Sequence, residues 1–235
     1  MDLERMDELV RKVAVIVAGG KGTRMKSEIP KQFLLLEGKP ILYYTIKAFQ
    51  HAFEDIEIIL VLPEDNMGMG QEIIDGYFDH SSIKVCAGGR TRFHSVQNGL
   101  ALAGDTDAII FVHDGVRCLA STSLLQRCFH ECTREGTAIP VIPCSDSVRR
   151  ITSEGSEIMD RNQIRLVQTP QTFHSRILLP AFQIDYKEGF TDEASVVEAY
   201  GLSVHLVEGD PNNLKITSPM DLKLAGILLS EVSQQ

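Results

Sequence analysis

Residues 13–33 read VAVIVAGGKGTRMKSEIPKQF, and this stretch decides the fold. Its first five residues are all apolar and four of them are β-branched, which is typical of a strand covered by helices on both faces. The glycines that follow allow the backbone to turn sharply. Behind them the loop carries four cations and one acid, namely Lys21, Arg24, Lys26, Lys31 and Glu28. In open α/β sheets ligands bind beyond the carboxyl ends of the strands, so this loop is a candidate anion-binding site.

The rest of the chain alternates between strand-like and helix-like patterns. Apolar runs predict further strands at 56–62, 83–88, 108–114, 137–143 and 204–209. Apolar residues at three- and four-residue spacing predict helices at 40–52, 69–78, 92–103, 122–135 and 218–232. Continuous apolar strands that alternate with helices indicate a sheet with helices on both sides. We therefore expect an α/β fold, a single Rossmann-like three-layer domain over residues 1–235 with a mainly parallel twisted sheet.

One segment departs from this alternation. Between about residues 145 and 168, two short β-like runs flank a glycine-containing turn, SEGSE at 153–157. Short strands around such a turn are the signal of a β-hairpin. We expect the hairpin to be an arm inserted into the α/β domain.

The bulk composition narrows the possible partners. The formal net charge is −9, from 23 Lys and Arg against 32 Asp and Glu, and an acidic protein repels nucleic acids and anionic membrane surfaces. The charged start, MDLERMDELVRK, lacks the apolar core of a signal peptide, and no apolar run approaches the roughly 20 residues that span a bilayer. Five cysteines without a CxxC pair are typical of reduced thiols, so we expect a cytoplasmic protein without a metal site.

Three kinds of phosphate-binding loop can be compared with residues 19–22. A Walker loop requires GxxxxGK[ST], and the Gly-Lys pair is missing at that distance. A dinucleotide fingerprint requires GxGxxG/A, but Met25 stands at the third position, which argues against a nicotinamide-dependent oxidoreductase. The third kind is a loop of glycines with interleaved cations that neutralises a triphosphate. The local excess of cations favours this interpretation over a turn with solvated surface charges.

Longer motifs resemble one family of enzymes. The pattern AGGxGxRM at 18–25, followed by PKQF at 30–33, resembles the signature of sugar-phosphate nucleotidyltransferases, and in particular the 2-C-methyl-D-erythritol 4-phosphate cytidylyltransferases. Further motifs of that family follow in its order: Gly88-Gly89 with Arg92 and Ser95, HDGVR at 113–117, DRN at 160–162, QTPQ at 168–171, TDEA at 191–194 and NLKIT at 213–217. The resemblance thus extends through nearly the whole chain.

The resemblance implies transfer of a cytidylyl group from CTP to 2-C-methyl-D-erythritol 4-phosphate. This reaction gives CDP-methylerythritol and pyrophosphate, in the non-mevalonate pathway to isoprenoids. A phosphate monoester is already an anionic nucleophile, so the reaction needs positioning and charge neutralisation rather than a general base. The family pattern assigns catalysis to Arg24, Lys31 and Lys215. It also implies Mg²⁺ held mainly by the nucleotide phosphates, because this ion prefers phosphate and water to cages made only of protein.

The family pattern also assigns the binding residues. Nucleotide contacts are implied for Ala18, Gly19, Gly20, Lys21, Gly22, Gly88, Gly89, Arg92, Ser95 and Asp114. Sugar-phosphate contacts are implied for Asp114, Arg117, Ser147, Arg161, Thr169 and Thr191. In this family the arm crosses to a second subunit, so we expect a homodimer in which Ser147 and Arg161 serve the partner's site.

Three positions depart from the family pattern. Ser147 follows Asp146 where the family usually has threonine, so the hydroxyl is kept without the methyl group. Cys118 stands where proline usually follows the arginine of the His-Asp motif, which removes a restraint on Arg117. Arg90 is an additional cation that either contributes to triphosphate binding or faces solvent. Two alternative functions stay open at this point. One is a ribitol-5-phosphate cytidylyltransferase, with the same fold and chemistry, and the other is a non-catalytic nucleotide- or sugar-binding module.

Overall fold

The structure is a computed structural model that describes residues 10–20, residue 25 and residues 29–232. The strands are β1 Lys12–Val17, β2 Leu35–Leu36, β3 Lys39–Pro40, β4 Glu57–Leu62, β5 Ile83–Ala87, β6 Ile109–Asp114, β7 Thr137–Pro143, β8 Val148–Thr152, β9 Gly155–Met159, β10 Arg165–Val167, β11 Gln171–His174 and β12 Leu206–Glu208. The α-helices are α1 Ile41–Ala52, α2 Met67–Tyr77, α3 Arg92–Ala103, α4 Thr122–Glu135, α5 Ser175–Ala181, α6 Glu193–Ala199 and α7 Pro219–Val232.

The main sheet has the order β10-β7-β11-β6-β1-β4-β5, with β12 on β7. β1 lies parallel to both β4 and β6, and β4 lies parallel to β5, so the half of the sheet around β1 is parallel. β11 is antiparallel to both β6 and β7. The α/β class and the mainly parallel sheet predicted from the sequence are confirmed. The antiparallel strand β11 was not predicted.

Helices cover both faces of this sheet and form three layers with it. Alternate residues of β1 point to opposite sides, because side chains in a strand alternate with a period of two. Ala14 and Ile16 pack with residues of α1 and α4 such as Phe49 and Leu124. Val13 and Val15 pack with residues of α3, α5 and α6. The apolar run at 13–17 is therefore buried on both faces, as its composition predicted.

Local capping explains where several helices begin. The hydroxyl of Ser121 accepts a hydrogen bond from the amide of Leu124 at 3.3 Å and starts α4, and Gly136 ends the same helix at φ 83°. Asp192 caps α6 through the amide of Ser195 at 2.9 Å. Such caps satisfy backbone groups that the first and last turns leave unpaired. The cap of α6 directly follows Thr191, so it positions that predicted site residue.

The inserted arm is a two-stranded hairpin of β8 and β9. The strands pair antiparallel from Val148 opposite Met159 to the turn at Gly155, whose φ of 139° favours glycine. The strand after the hairpin, β10, pairs with β7 and belongs to the main sheet. The hairpin itself therefore occupies 148–159, a shorter stretch than the arm expected from the sequence at about 145–168.

None of the helices in the described part of the chain is long and apolar enough to cross a membrane.

Candidate active site

The site lies at the carboxyl edge of the parallel half of the sheet. Backbone hydrogen bonds hold the strand ends together: the amide of Ala18 donates to Val61 O at 2.9 Å, and the amide of Gly88 donates to Leu62 O at 2.7 Å. A cavity of about 590 Å³ opens between these ends, a size typical of small-ligand sites. The cavity is lined by Val17, Ala18, Gly19, Gly20, Lys31, Gln32, Pro63, Glu64, Gly88, Gly89, Arg90, Thr91, Arg92, Ser95, Asp114, Val116 and Lys215. Most of the predicted nucleotide ligands are thus gathered around one space.

The glycine turn forms one wall of this cavity, the larger of two at the site. A side chain built on Gly20 would lie 3.6 Å from Cε of Lys31, so the turn and this lysine are neighbours. The side-chain Nε2 of Gln32 donates to the carbonyl of Ala18 at 2.6 Å and connects the PKQF motif to the turn. Three predicted site residues of this loop, Lys21, Gly22 and Arg24, lie outside the described residues.

Lys31 joins the glycine turn to a segment far away in the sequence. It begins a short 3₁₀ helix over Lys31–Phe33 and is buried. Its Nζ donates to the carbonyl of Ile216 at 3.3 Å, and Ile216 directly follows Lys215. Both lysines line the same cavity. Two of the three predicted catalytic cations are therefore brought to one place, although 184 positions separate them in the chain.

Asp114 is the centre of the charged groups. Its Oδ1 accepts from Arg92 Nη1 at 2.6 Å, and its Oδ2 lies 2.8 Å from Lys215 Nζ and 3.5 Å from Arg117 Nε. Burial alone would raise the pKa of this carboxyl, but the charges of Arg92, Lys215 and Arg117 outweigh it and hold the pKa well below its usual range. The carboxylate is therefore ionised and holds three cations together from three separate segments.

Glu193 is a site residue that the sequence analysis missed. It is almost fully buried, and its Oε2 accepts from Arg92 Nη2 at 3.0 Å. Arg92 therefore spans two carboxylates, Glu193 and Asp114, which raise the pKa of its guanidinium although burial acts in the opposite direction. Arg92 was predicted to bind the nucleotide; its two terminal nitrogens bind these acids. In the sequence, an acid just after Asp192 indicates only the start of a helix.

A second cavity of about 230 Å³ lies beside the first. Its lining consists of Arg92, Asp114, Arg117, Val167, Gln168, Thr169, Gln171, Thr191, Asp192 and Lys215. Arg92, Asp114 and Lys215 line both cavities, so these three residues mark the place where the two spaces meet. An anion in the smaller cavity would face a ligand in the larger one across this cluster.

Arg117 is held in the wall of the smaller cavity in spite of the missing proline. Its Nη1 donates to the carbonyl of Asn213 at 2.7 Å, which restrains the guanidinium. The neighbouring Cys118 is buried in an apolar cluster with Ile216, and burial raises the pKa of its thiol to about 12. Cys118 is therefore a neutral packing residue. The additional cation Arg90 lines the larger cavity and donates to His94 at 3.2 Å.

Ser95 shapes the wall where the nucleoside was expected. Its hydroxyl accepts from the amide of Gly89 at 3.0 Å and donates to the carbonyl of Thr91 at 2.9 Å. A side chain on Gly88 would come within 3.0 Å of the same oxygen, so a glycine fits there. The hydroxyl hydrogen is used inside the protein, and Ser95 can reach a ligand as a donor only by giving up that bond.

The predicted sugar-phosphate residues fall into two groups. Thr169 and Thr191 line the smaller cavity, the first buried and the second exposed. Ser147 and Arg161 are exposed on the arm and line neither of the two cavities of their own chain. Arg161 Nη1 donates to the carbonyl of Ser145 at 2.7 Å, a contact within the arm. The structure brings the first pair to the site and leaves the second pair outside it.

Comparison with known proteins gives one consistent result. The family model for 2-C-methyl-D-erythritol 4-phosphate cytidylyltransferase matches residues 12–231. A protein of Bacteroides fragilis with that name is 48% identical over 219 residues, which are 93% of this chain and 99% of that protein. The resemblance inferred from the sequence motifs is confirmed.

Solved structures show the same likeness at the level of the fold. The 4-diphosphocytidyl-2C-methyl-D-erythritol synthase of Anaerococcus prevotii matches with a TM-score of 0.80 and 25% identity, over 94% of this chain and 99% of its own. The 2-C-methyl-D-erythritol 4-phosphate cytidylyltransferase of Thermus thermophilus matches with a TM-score of 0.71 and 30% identity, over 94% and 98%.

Proposed function

Because the chain belongs to the 2-C-methyl-D-erythritol 4-phosphate cytidylyltransferase family, we propose that its two joined cavities hold the two substrates of that reaction. The enzyme is a cytidylyltransferase of isoprenoid biosynthesis that uses CTP and 2-C-methyl-D-erythritol 4-phosphate and forms CDP-methylerythritol and pyrophosphate. We assign CTP to the larger cavity and the sugar phosphate to the smaller one. The observation that carries this assignment is the cluster of Arg92, Asp114 and Lys215, which lines both spaces.

The reaction is an in-line displacement at phosphorus. An oxygen of the sugar phosphate forms a bond to the α-phosphorus of CTP while the bond from that phosphorus to the bridging oxygen of the β-phosphate breaks, and pyrophosphate leaves with the electron pair. Negative charge grows on the transferred group and on the leaving group, and fixed cations stabilise it. Lys31 and Lys215 supply such cations from one wall of the larger cavity. Arg24 is proposed as a third, on the family pattern alone.

Mg²⁺ is proposed to bind through the triphosphate. Among the described residues no group of three or more His, Cys, Asp and Glu side chains is placed to hold a metal ion, and Asp114 is already bound to cations. The described part of the site is therefore compatible with a magnesium ion that takes its ligands from phosphate and water rather than from the protein. When bound, the ion would neutralise charge on the phosphates that leave as pyrophosphate.

The smaller cavity suits a phosphorylated polyol. Arg117 offers a planar guanidinium, a group that binds phosphate oxygens through two parallel hydrogen bonds. Asp114 offers carboxylate oxygens that accept from hydroxyl groups, in exchange for its contact with Lys215. Lys215 is then free to turn toward the attacking phosphate. Binding of the sugar phosphate and placement of this catalytic lysine are coupled in this way.

We propose that the enzyme is a homodimer in which each arm reaches the partner's site. On one face of the hairpin, Ile151 and Ile158 are 80% and 75% exposed and lie diagonally opposite each other. An isolated two-stranded hairpin is marginally stable, and exposed apolar side chains on both strands favour a protein surface as their cover. We place the reaction in the cytoplasm, in keeping with five free thiols.

Loss of the arm's arginine should affect one substrate and spare the other. We expect Arg161→Ala to raise the KM for the sugar phosphate about tenfold or more, because a hydrogen bond to a charged group contributes about 1.5–3 kcal/mol. The KM for CTP should stay nearly unchanged. Arg150→Ala is the matched control, since this arginine pairs with Glu157 inside the hairpin that precedes Arg161. Loss of CTP binding in Arg161→Ala would contradict the assignment of the arm.

The proposed reaction is tested by measuring pyrophosphate release. The enzyme is supplied with CTP and Mg²⁺, together with either 2-C-methyl-D-erythritol 4-phosphate or ribitol 5-phosphate in parallel. We expect release with the first substrate only. Release with ribitol 5-phosphate alone would keep the site and the mechanism and overturn the substrate. Nucleotide binding without release from either would indicate a non-catalytic binding module.

A further inference from the structure

His113 is fully buried near the end of β6 and contacts two residues that line the smaller cavity, Arg117 and Thr169. Its Nε2 is 3.0 Å from the carbonyl oxygen of Arg117, and its Nδ1 is 3.1 Å from the hydroxyl oxygen of Thr169. That hydroxyl oxygen also accepts from the amide of Asp114 at 3.0 Å. The imidazole and the hydroxyl therefore connect to the backbone of both residues that face the sugar phosphate.

The hydrogen bonds of His113 and Thr169 can form with only one placement of their hydrogens. A carbonyl oxygen only accepts hydrogen bonds, so Nε2 of His113 must carry a hydrogen to donate to Arg117. In the neutral ring Nδ1 then has a lone pair and must accept, so the hydroxyl of Thr169 donates to it. A hydroxyl has a single hydrogen. The hydrogen of Thr169 is consequently directed at His113 and not at a ligand in the cavity.

The surroundings of the ring keep it neutral. Phe49 packs edge-on against it at 5.1 Å between ring centroids, and the charged groups near it are Asp114, Arg117 and Arg92. Burial lowers the pKa of His113 to about 4 and outweighs the hydrogen bond to the Arg117 carbonyl and the charge of Asp114, which act in the opposite direction. If the ring were protonated, both of its nitrogens would donate and the hydrogen of Thr169 would be released.

We propose that His113 and Thr169 are a pair of positioning residues that fix the turn from Asp114 to Arg117 for binding of the sugar phosphate. This inference rests on the proposed function and goes beyond it, since it makes Thr169 a support of the site rather than a donor to the substrate. The turn is closed by a hydrogen bond from the amide of Arg117 to the carbonyl of Asp114 at 3.0 Å. His113 closes it a second time through the carbonyl of Arg117, and Thr169 fixes its other end.

Two single variants and their combination separate positioning from direct binding. Thr169→Val and His113→Phe each break the hydrogen bond between the two residues. Because small displacements of binding groups are costly, each variant should raise the KM for the sugar phosphate about tenfold or more. The KM for CTP should change little. The double variant should resemble the single ones, since both remove the same link. Thr169→Ser keeps the hydroxyl and should restore the wild-type KM.

Direct binding by Thr169 predicts a different outcome. Its hydroxyl would then be freed by His113→Phe, and the KM for the sugar phosphate would stay unchanged or fall, which would overturn the proposal. Thr172→Val is the matched control: it removes a buried hydroxyl of β11 from a residue that lines neither of the two cavities, and its KM values should equal those of the wild type.

The tautomer can be measured without any variant. The ¹⁵N spectrum of the wild-type protein at neutral pH should show His113 with a protonated Nε2 and an unprotonated Nδ1, with exposed His51 as an internal reference. A protonated Nδ1 would contradict the hydrogen-bond arrangement. This readout is independent of catalysis, so failure of the proposed reaction and failure of the positioning pair can be told apart.

Discussion

Replacing Lys31 with alanine should lower kcat by about 10²-fold or more and change the KM for CTP much less, on the scale of a lost transition-state donor. Lys31 is a buried cation that lines the larger cavity beside Gly20, and its Nζ is directed toward the segment that carries Lys215. The proposed function places the transferred phosphate beside this charge, where negative charge would grow as the bond to pyrophosphate breaks. Steady-state kinetics with CTP and the sugar phosphate measure both parameters.

The control for this variant is Lys47→Ala, which removes an exposed lysine of α1 and should leave both parameters unchanged. A fall in kcat accompanied by an equal loss of CTP affinity would show that Lys31 contributes to binding in general and not to the transition state in particular.

Asp114→Asn should destabilise the protein by about 3–5 kcal/mol, because it removes a buried carboxylate that is paired with several cations. The substitution preserves the size of the side chain and removes the charge that Arg92, Arg117 and Lys215 share. Activity should fall as well, since Arg92 and Lys215 line both cavities and Arg117 lines the smaller one. Denaturant unfolding of the variant and the wild type measures the difference in stability.

Binding of an anion should partly restore the stability of Asp114→Asn. In the variant Arg117 and Lys215 lose their carboxylate and Arg92 keeps only Glu193, so the cluster can bind an anion. Pyrophosphate should therefore raise the Tm of Asp114→Asn more than that of the wild type. Asp105→Asn, which alters an exposed carboxylate, is the control and should show neither effect. Two results would refute the view that Asp114 holds the cluster together. One is an unfolding free energy of Asp114→Asn equal to that of the wild type, and the other is an equal rise in Tm with pyrophosphate in both proteins.

The pH dependence follows from the lowered pKa of Asp114. In the unfolded chain this carboxyl would take up a proton near pH 3.9, whereas the folded protein keeps it ionised to lower pH. The stability that it contributes is therefore complete above about pH 5 and is lost as the pH falls through and below about 4. The difference in stability between the wild type and Asp114→Asn should be constant from neutral pH to about pH 5 and should narrow below that.

Sequence patterns predicted the strands and helices around β1 closely. The run at 13–17 became β1 at 12–17, and the helix predicted at 92–103 is α3 over the same residues. The misses are the two-residue strands β2 and β3, the strands β10 and β11, and the helices α5 and α6. The two helices span seven residues each, about two turns, which is too short for a clear period of apolar residues. β11 lies in the QTPQTF segment at 168–173, which follows the expected arm and was interpreted only as a site motif.

The sequence by itself determined the fold class, the glycine turn with its cations and the family, because each depends on residues that are neighbours in the chain or on motifs in a fixed order. The tertiary structure alone decided which charges meet. Arg92 is paired with Glu193, 101 positions away, and Thr169 reaches His113 only because the segment leading into β11 runs antiparallel beside β6. Such contacts depend on the order and direction of the strands, and local periodicity carries no information about either.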